Sequence, residues 1–229
     1  MLDKIVATLE ESVSGIADGS TILCGGFAGA GIPTALLQAL LRQGAKDLVL
    51  VSNNAGNGPL GMGELIAAGR VRKLIATYSR SVDPNNPNAK DFADAYVAGK
   101  IELECVPQGT LAERLRAAGA GMGPFFTPTA YGTKLAEGKE TRVIDGVGYV
   151  LEQPLKAEYA FIKAHQADRW GNLNYRYAGR NFSPVMCTAA TTTIAQVNEI
   201  VPLGGLVPEH VMTPGIFVKR VVLARGATQ

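Results

Sequence analysis

The chain has 229 residues, 47% of them hydrophobic and 18% charged, with 22 basic against 20 acidic side chains and a formal charge of +2. That is enough apolar material for one large α/β domain or two small ones, and the balanced, scattered charge leaves no basic stripe for nucleic acid. The cysteines Cys24, Cys105 and Cys187 lie far apart with no CxxC spacing, which argues against a disulfide framework or a structural zinc and suits a reducing cytoplasm.

The opening "MLDKIVATLEESVSG" carries Asp3, Glu10 and Glu11, which interrupt any apolar signal core. "STILCG" reads as the first clear strand. "PTALLQALLRQG" reads as a helix, with Leu36, Leu37, Leu40 and Leu41 on one face, Pro33 in its first turn and Gly44 at its C-terminal cap. Together "STILCGGFAGAGIPTALLQALL" is long enough to cross a bilayer, but the glycines and proline in its first half would leave backbone groups unsatisfied in lipid. Next come a strand "DLVLVSNN", a helix "GMGELIAAG", a strand "RKLIATY", a helix "AKDFADAYVAG", a strand "KIELECV" and a helix "TLAERLRAAG". Strands alternating with single helices imply parallel pairing with helices on both faces, an open doubly wound sheet.

Near residue 124 the pattern changes. "GPFFTPTAYGT" reads as a loop, and "TRVIDGVGYVLEQ" as a hairpin turning at Asp145-Gly146. "YAFIKAHQAD" and "NLNYRYAG" read as strands around the polar corner "DRWGN", with Trp170 as a packing anchor. "TTTIAQVNEIV" and "GIFVKRVVLA" read as late strands. The expectation is a more antiparallel C-terminal part within one domain spanning 1–229.

A strand, a glycine-rich turn and a helix start form a recurring anion-binding arrangement. Neither standard phosphate motif is present. Gly29-x-Gly31 is followed by Thr34 where G-x-G-x-x-G needs a third glycine, and Gly138-Lys139 runs into Glu140 without a P-loop spacing. By the residues alone the glycines either make a tight turn at the sheet edge or hold an anion. Cys24 has no charged neighbour in sequence to activate it and reads as a buried strand residue. Asn53 and Asn54 end a parallel strand, where open α/β sheets bind ligands, although an Asx turn would use the same residues. Gln108 is either a ligand residue or the entry to a helix capped by Thr110. Glu113 and Arg114 read as a solvated helical face. His165 and His210 are too far apart for a metal pair, His165 reads as a satisfied strand residue, and no G-x-S-x-G elbow occurs.

The order Asp18-Gly19-x-x-Ile22-Leu23-Cys24-Gly25-Gly26-Phe27-x-x-x-Gly31-x-Pro33 resembles the signature of the A subunits of family I CoA-transferases, the enzymes of 3-oxoacids. Blocks in the same order follow: "VSNNAG", "PQGTLAERLRAAGAG", "FFTPTAYGT" (Ala130 standing where the family more often has glycine), "KAHQADRWGN", "GRNF" and "PGIFVKRVV".

This resemblance implies a ping-pong transfer of CoA through a glutamyl-CoA thioester. It puts the nucleophilic glutamate on a partner, the CoA-transferase B subunit, and no catalytic residue here. It assigns Gly25, Gly26, Phe27, Ala28, Gly29, Ala30 and Gly31 to a CoA loop, and Asn53, Asn54 and Gln108 to substrate binding. The substrates it implies are succinyl-CoA and a 3-oxoacid. "NNAGNG", "GKETR" and "YVLEQPL" favour 3-oxoadipate, with acetoacetate the alternative and Arg80, Arg176 or Arg180 open as reader of a distal carboxylate. The CoA thioester enters as substrate, with no permanently bound cofactor, no metal, no nucleic acid and no membrane. A sugar-phosphate-binding regulator or isomerase on a related sheet is the competing class, supported by fold analogy alone.

Overall fold

The structure is a computed structural model that describes residues 2–55, 61–79 and 91–224. Strand β1 (Ile5–Val6) leads into helix α1 (Leu9–Val13), which Thr8 caps by accepting from the Glu11 N–H at 3.0 Å while the Glu11 carboxylate accepts from Ala7 N at 2.9 Å. Then β2 (Thr21–Cys24), α2 (Thr34–Gln43), β3 (Leu48–Asn54), α3 (Met62–Ala67), β4 (Val71–Tyr78), α4 (Asp91–Val97), β5 (Glu102–Cys105) and α5 (Gln108–Gly119) alternate as the periodicity predicts. Pro33 sits one residue earlier than expected, at the N-cap of α2, and the Gly44 N–H closes the other end on Leu40 O at 3.2 Å.

The second half contains β6 (Phe125–Thr127), β7 (Thr141–Ile144), β8 (Val147–Glu152), β9 (Ala157–Ala167), β10 (Leu173–Asn174), α6 (Ser183–Ala189), β11 (Ala190–Ile200) and β12 (Arg220–Leu223). The main sheet runs β1-β12-β11-β9-β2-β3-β4-β5, with β10 on β9, and all its pairings are parallel except β9 with β10. The antiparallel character of the C-terminal part is therefore confined to that short pair and to a separate sheet β6-β8-β7, while β9, β11 and β12 extend the parallel sheet. Their burial explains the pairing: β9 and β11 are covered on both faces, so they lack the in/out alternation of a half-solvated antiparallel strand. "GPFFTPTAYGT" is not simply a loop, because Phe125–Thr127 pairs with β8. "NLNYRYAG" shortens to two strand residues followed by a 3-10 turn at Tyr177–Arg180. Helix α6, which no periodic pattern in the sequence announces, fills the space before β11.

Alternate side chains feed two cores. Ile22, Leu48, Leu50, Leu74, Phe161 and Ile194 pack with α1 to α4 on one face. Leu23, Val49, Val51, Ile75, Ile162 and Val197 pack with α5 and α6 on the other. The chain steps from β2 through β3 and β4 to β5 in one direction, and the later strands are laid down on the opposite side of β2. The order reverses between β2 and β9, and in an open α/β sheet the crevice beyond the strand ends at such a point is where ligands bind.

Candidate active site

The glycine loop leaves the sheet at this reversal. The Gly25 N–H donates to Phe161 O at 3.0 Å, extending the β2–β9 ladder by one bond, and the Gly26 N–H donates to Asn181 Oδ1 at 3.1 Å. Phe27 and Ala30 then exchange both backbone hydrogen bonds, at 3.0 and 2.8 Å. They enclose Ala28 and Gly29, both with positive φ (48° and 98°), so the loop is a miniature hairpin with a primed two-residue turn. Of the seven residues assigned to CoA, four have spent their N–H groups inside the protein. Among the described residues, the N–H groups of Ala28, Gly29 and Gly31 have no partner, and these are the donors an anion can use.

Asn53 and Asn54 divide between the faces of the sheet. Asn54 lies with Ser52 on the α2 and α3 side and borders a narrow slit of about 20 Å³ under Gly25, Phe27 and Gly29. Asn53 is 1% exposed and donates through Nδ2 to Asn54 Oδ1 at 2.9 Å. Its own Oδ1 is buried with no partner among the described residues. The two amides are thus coupled to each other, not arranged as a turn, and an acceptor is left over at the strand end.

Gln108 is the first residue of α5, and its Oε1 accepts from Tyr78 OH at 3.4 Å. It lines a much larger cleft, about 760 Å³, together with Phe27, Arg180, Phe182, Met212 and Phe217. That volume lies in the usual range for a small-molecule site, whereas the slit holds little more than water. Phe27, 38% exposed, forms the wall common to both. Thr110 does not cap α5. The helix begins at Gln108, behind Pro107, and Thr110 lies buried in its first turn with Oγ1 unpaired among the described residues. Of the three candidate arginines, Arg180 lines the cleft and Arg176 does not, while Arg80 lies outside the described residues.

Neither buried thiol, Cys24 nor Cys187, is poised as a nucleophile. Burial pushes both Cys24 and Cys187 up to about 12, the second despite hydrogen bonds from Tyr175, Thr213 and Thr193 that pull the other way. Two bystander expectations change. His165 is not satisfied: its Nδ1 is buried without a partner among the described residues, and burial followed by the charge of Arg176 holds the imidazole below its usual range. Trp170 is 44% exposed, so the corner it belongs to is held instead by Asp168, whose carboxylate accepts from Trp170 N, Asn172 N and Asn172 Nδ2 at 2.9, 3.1 and 2.8 Å. Arg114 also departs from the expected solvated face. It is 8% exposed, with Nη1 on Glu104 at 2.7 Å and Nε on Gln153 O at 2.8 Å.

No carboxylate lines either the slit or the cleft among the described residues. The donors are backbone N–H groups, amides and guanidinium groups. Such a corner binds and polarises an acyl group or an anion but supplies no acid nucleophile. It stands at the strand-order reversal, the position at which open α/β sheets bind ligands. The chain belongs to the coenzyme A transferase family, whose model matches residues 6–224.

Among its relatives, the A subunit of a 3-oxoadipate CoA-transferase from Pseudomonas putida is 57% identical over 99% of this chain and 96% of that protein. The A subunit of a succinyl-CoA:3-ketoacid coenzyme A transferase from Xanthomonas campestris is 48% identical over 96% of this chain and 88% of that one. A solved structure of the decarboxylase AibA/AibB, in a cysteine-to-serine variant, superposes with a TM-score of 0.83 at 29% identity, covering 98% of this chain and 84% of that one.

Proposed function

We propose that this chain is the A subunit of a heteromeric transferase that moves CoA from succinyl-CoA to 3-oxoadipate through a glutamyl-CoA thioester on its partner. The observation that carries the reading is the lack of a carboxylate in the described lining of the cleft, in a chain 57% identical to a protein named for that reaction. A glutamate from a partner attacks the thioester carbonyl and expels CoA thiolate. The thiolate then attacks the glutamyl carbonyl of the resulting mixed anhydride and releases succinate. The same two steps run in reverse with 3-oxoadipate. Each addition puts negative charge on a carbonyl oxygen, which the carboxamide of Gln108 is suited to stabilise, while the free N–H groups of the glycine loop are suited to hold the anionic groups of CoA or the acid in place.

The test is to purify the chain alone and with its partner, and to follow 3-oxoadipyl-CoA formation from succinyl-CoA. The pair is expected to turn over and to be inactivated by borohydride or hydroxylamine only after acyl-CoA is added, with the trapped adduct on the partner. Turnover by the isolated chain, or an adduct on one of its own carboxyl groups, overturns the division of labour. Decarboxylation of an acyl-CoA without CoA exchange would align it instead with the AibA/AibB decarboxylase.

A second reading keeps the reaction and changes the acid to acetoacetate, favoured by the 48% identity to a protein named for 3-ketoacids. The ratio of kcat/KM for 3-oxoadipate and acetoacetate decides between them.

A further inference from the structure

We propose that Asn181 is a positioning residue for CoA transfer: its carboxamide sets the shape of the glycine loop and so keeps the Ala28, Gly29 and Gly31 N–H groups available to substrate. The inference rests on the reading of that loop as a substrate cradle.

The backbone of Asn181 has φ 20° and ψ −120°, a conformation that residues with a side chain rarely adopt. Strain of this kind persists only where the surroundings over-determine it. Here four hydrogen bonds do so. Oδ1 accepts from Gly26 N at 3.1 Å and from Phe182 N at 2.7 Å, and Nδ2 donates to Ala30 O at 3.1 Å and to Ala178 O at 2.8 Å. A carboxamide has two acceptor sites and two donor hydrogens, and all four are used on main chain. Two of the bonds hold Asn181 in its own segment. The other two reach the two legs of the glycine hairpin just outside and at the Phe27–Ala30 pair, tying its base. Because the valences are filled, Asn181 has nothing left for substrate, although it borders the cleft between Arg180 and Phe182.

The steric fit supports the same assignment. A Cβ on Gly31 would lie 2.5 Å from Gly179 O and 2.9 Å from Asn181 Nδ2, so the loop and the 179–181 backbone approach as closely as two chains can. Other side chains fail the chemistry. Aspartate keeps the acceptors but points negative charge at the Ala30 and Ala178 carbonyls. Glycine suits the φ but makes none of the bonds.

The experiment uses the chain assembled with its partner, in wild-type form and as Asn181→Gly and Asn181→Asp. Measured quantities are the melting temperature and kcat and KM for succinyl-CoA from pH 5 to pH 8. Asn181→Gly loses bonds and sheds strain together, so its melting temperature is expected to stay near wild type. Its KM rises about tenfold or more while kcat changes less than about threefold, the pattern of lost binding. Asn181→Asp is expected to show the same defect at pH 8 and, relative to wild type, to begin to recover toward pH 5, as a carboxyl that ordinarily titrates at about 3.9 starts to take up the hydrogen needed for donation. A merely structural role moves neither the KM-to-kcat split nor this pH dependence. Wild-type KM in both variants, or losses that vanish once normalised to the folded fraction, overturns the proposal and leaves the function intact. A wild-type assembly that moves no CoA at all overturns both.

Discussion

The glycine corner and the small β6-β8-β7 sheet are both appended to the same parallel core, and they are attached by opposite means. The corner is held by neutral groups: backbone ladders, the Asn181 carboxamide, and Gln196 on β11, whose Oε1 accepts from the Leu36 N–H at 3.2 Å. The small sheet is held by charges. Lys73, Glu104, Arg114, Glu152 and Lys139 form a chain with links of 2.7, 2.7, 3.9 and 2.6 Å, running from β4 through α5 to the end of β8. The difference is electrostatic. A site that must accept a developing negative charge has no carboxylate in its described lining, and this chain of ion pairs lines neither the slit nor the cleft.

The largest effect that would sharpen this contrast comes from one substitution in each region. Gly31→Ala puts a methyl against the Gly179 carbonyl oxygen at a residue with φ 72°. Backbone on both sides prevents relaxation, and a loss of about 2–4 kcal/mol is expected in urea unfolding, from left-handed strain plus overpacking. Gly148→Ala, in the small sheet, meets the Tyr131 ring, which is 43% exposed and free to swing outward. Its expected loss is below about 1 kcal/mol, the size of an ordinary surface change. Equal losses in the two variants would break the distinction between a corner locked by backbone and a sheet that gives.

Much of this architecture is legible in the sequence, and the limits are physical. The strand–helix alternation through α5 can be read because each element carries its own period and its own stops, such as Gly44 after α2. The Asp145-Gly146 turn is readable for the same reason, with φ 50° and 79° at the two positions. The pairing direction of β9, β11 and β12 is not, because a strand buried on both faces reads alike whichever way its neighbour runs. At the site, the residues at strand ends are found by position, and strand alternation sends adjacent Asn53 and Asn54 to opposite faces, but nothing local says that Asn54 borders the slit while the Asn53 Oδ1 is left buried and unpaired among the described residues. Asn181 is visible only inside the block "GRNF", and its partners Gly26 and Ala30 lie 155 and 151 positions away. Arg114 misleads because a helix alone cannot reveal that Glu104 and Gln153 cover it.

The next effect tests the charged anchor. Arg114→Met removes the central cation and leaves Glu152, which is 3% exposed, relying on Lys139, and Glu104 relying on Lys73. Removing one partner of a buried pair costs about 3–5 kcal/mol, and the two remaining lysines should cut this to about 2 kcal/mol by denaturant titration. Acid should act on the same links. Burial alone would raise the Glu104 carboxyl, but the hydrogen bonds from Lys73 and Arg114 outweigh it and hold the group below its ordinary 4.5. A depressed folded-state pKa contributes stability that is full above the unfolded value and is lost as pH falls through the folded one. The melting temperature should therefore drop on acidification below about pH 4.5, less steeply in Arg114→Met than in wild type. A parallel acid limb in the two proteins would detach Glu104 from the anchor.

The smallest effect sharpens the neutral side. Helix α2 starts at Pro33, which makes no side-chain cap, so its first-turn N–H groups need acceptors from elsewhere. Gln196 supplies one across the core: it is 2% exposed and reaches the N–H of Leu36, itself fully buried. Gln196→Met keeps the volume and removes the acceptor. An unsatisfied buried donor costs about 1–3 kcal/mol, and the end of a helix can relax, so about 1–1.5 kcal/mol is expected. Because the lost bond is neutral, the difference between Gln196→Met and wild type should stay constant from pH 5 to pH 8 and from low to high salt. A salt-dependent difference would mean that charge, and not amide hydrogen bonding, braces the start of α2, and the contrast between the two attachments would fail on its neutral side.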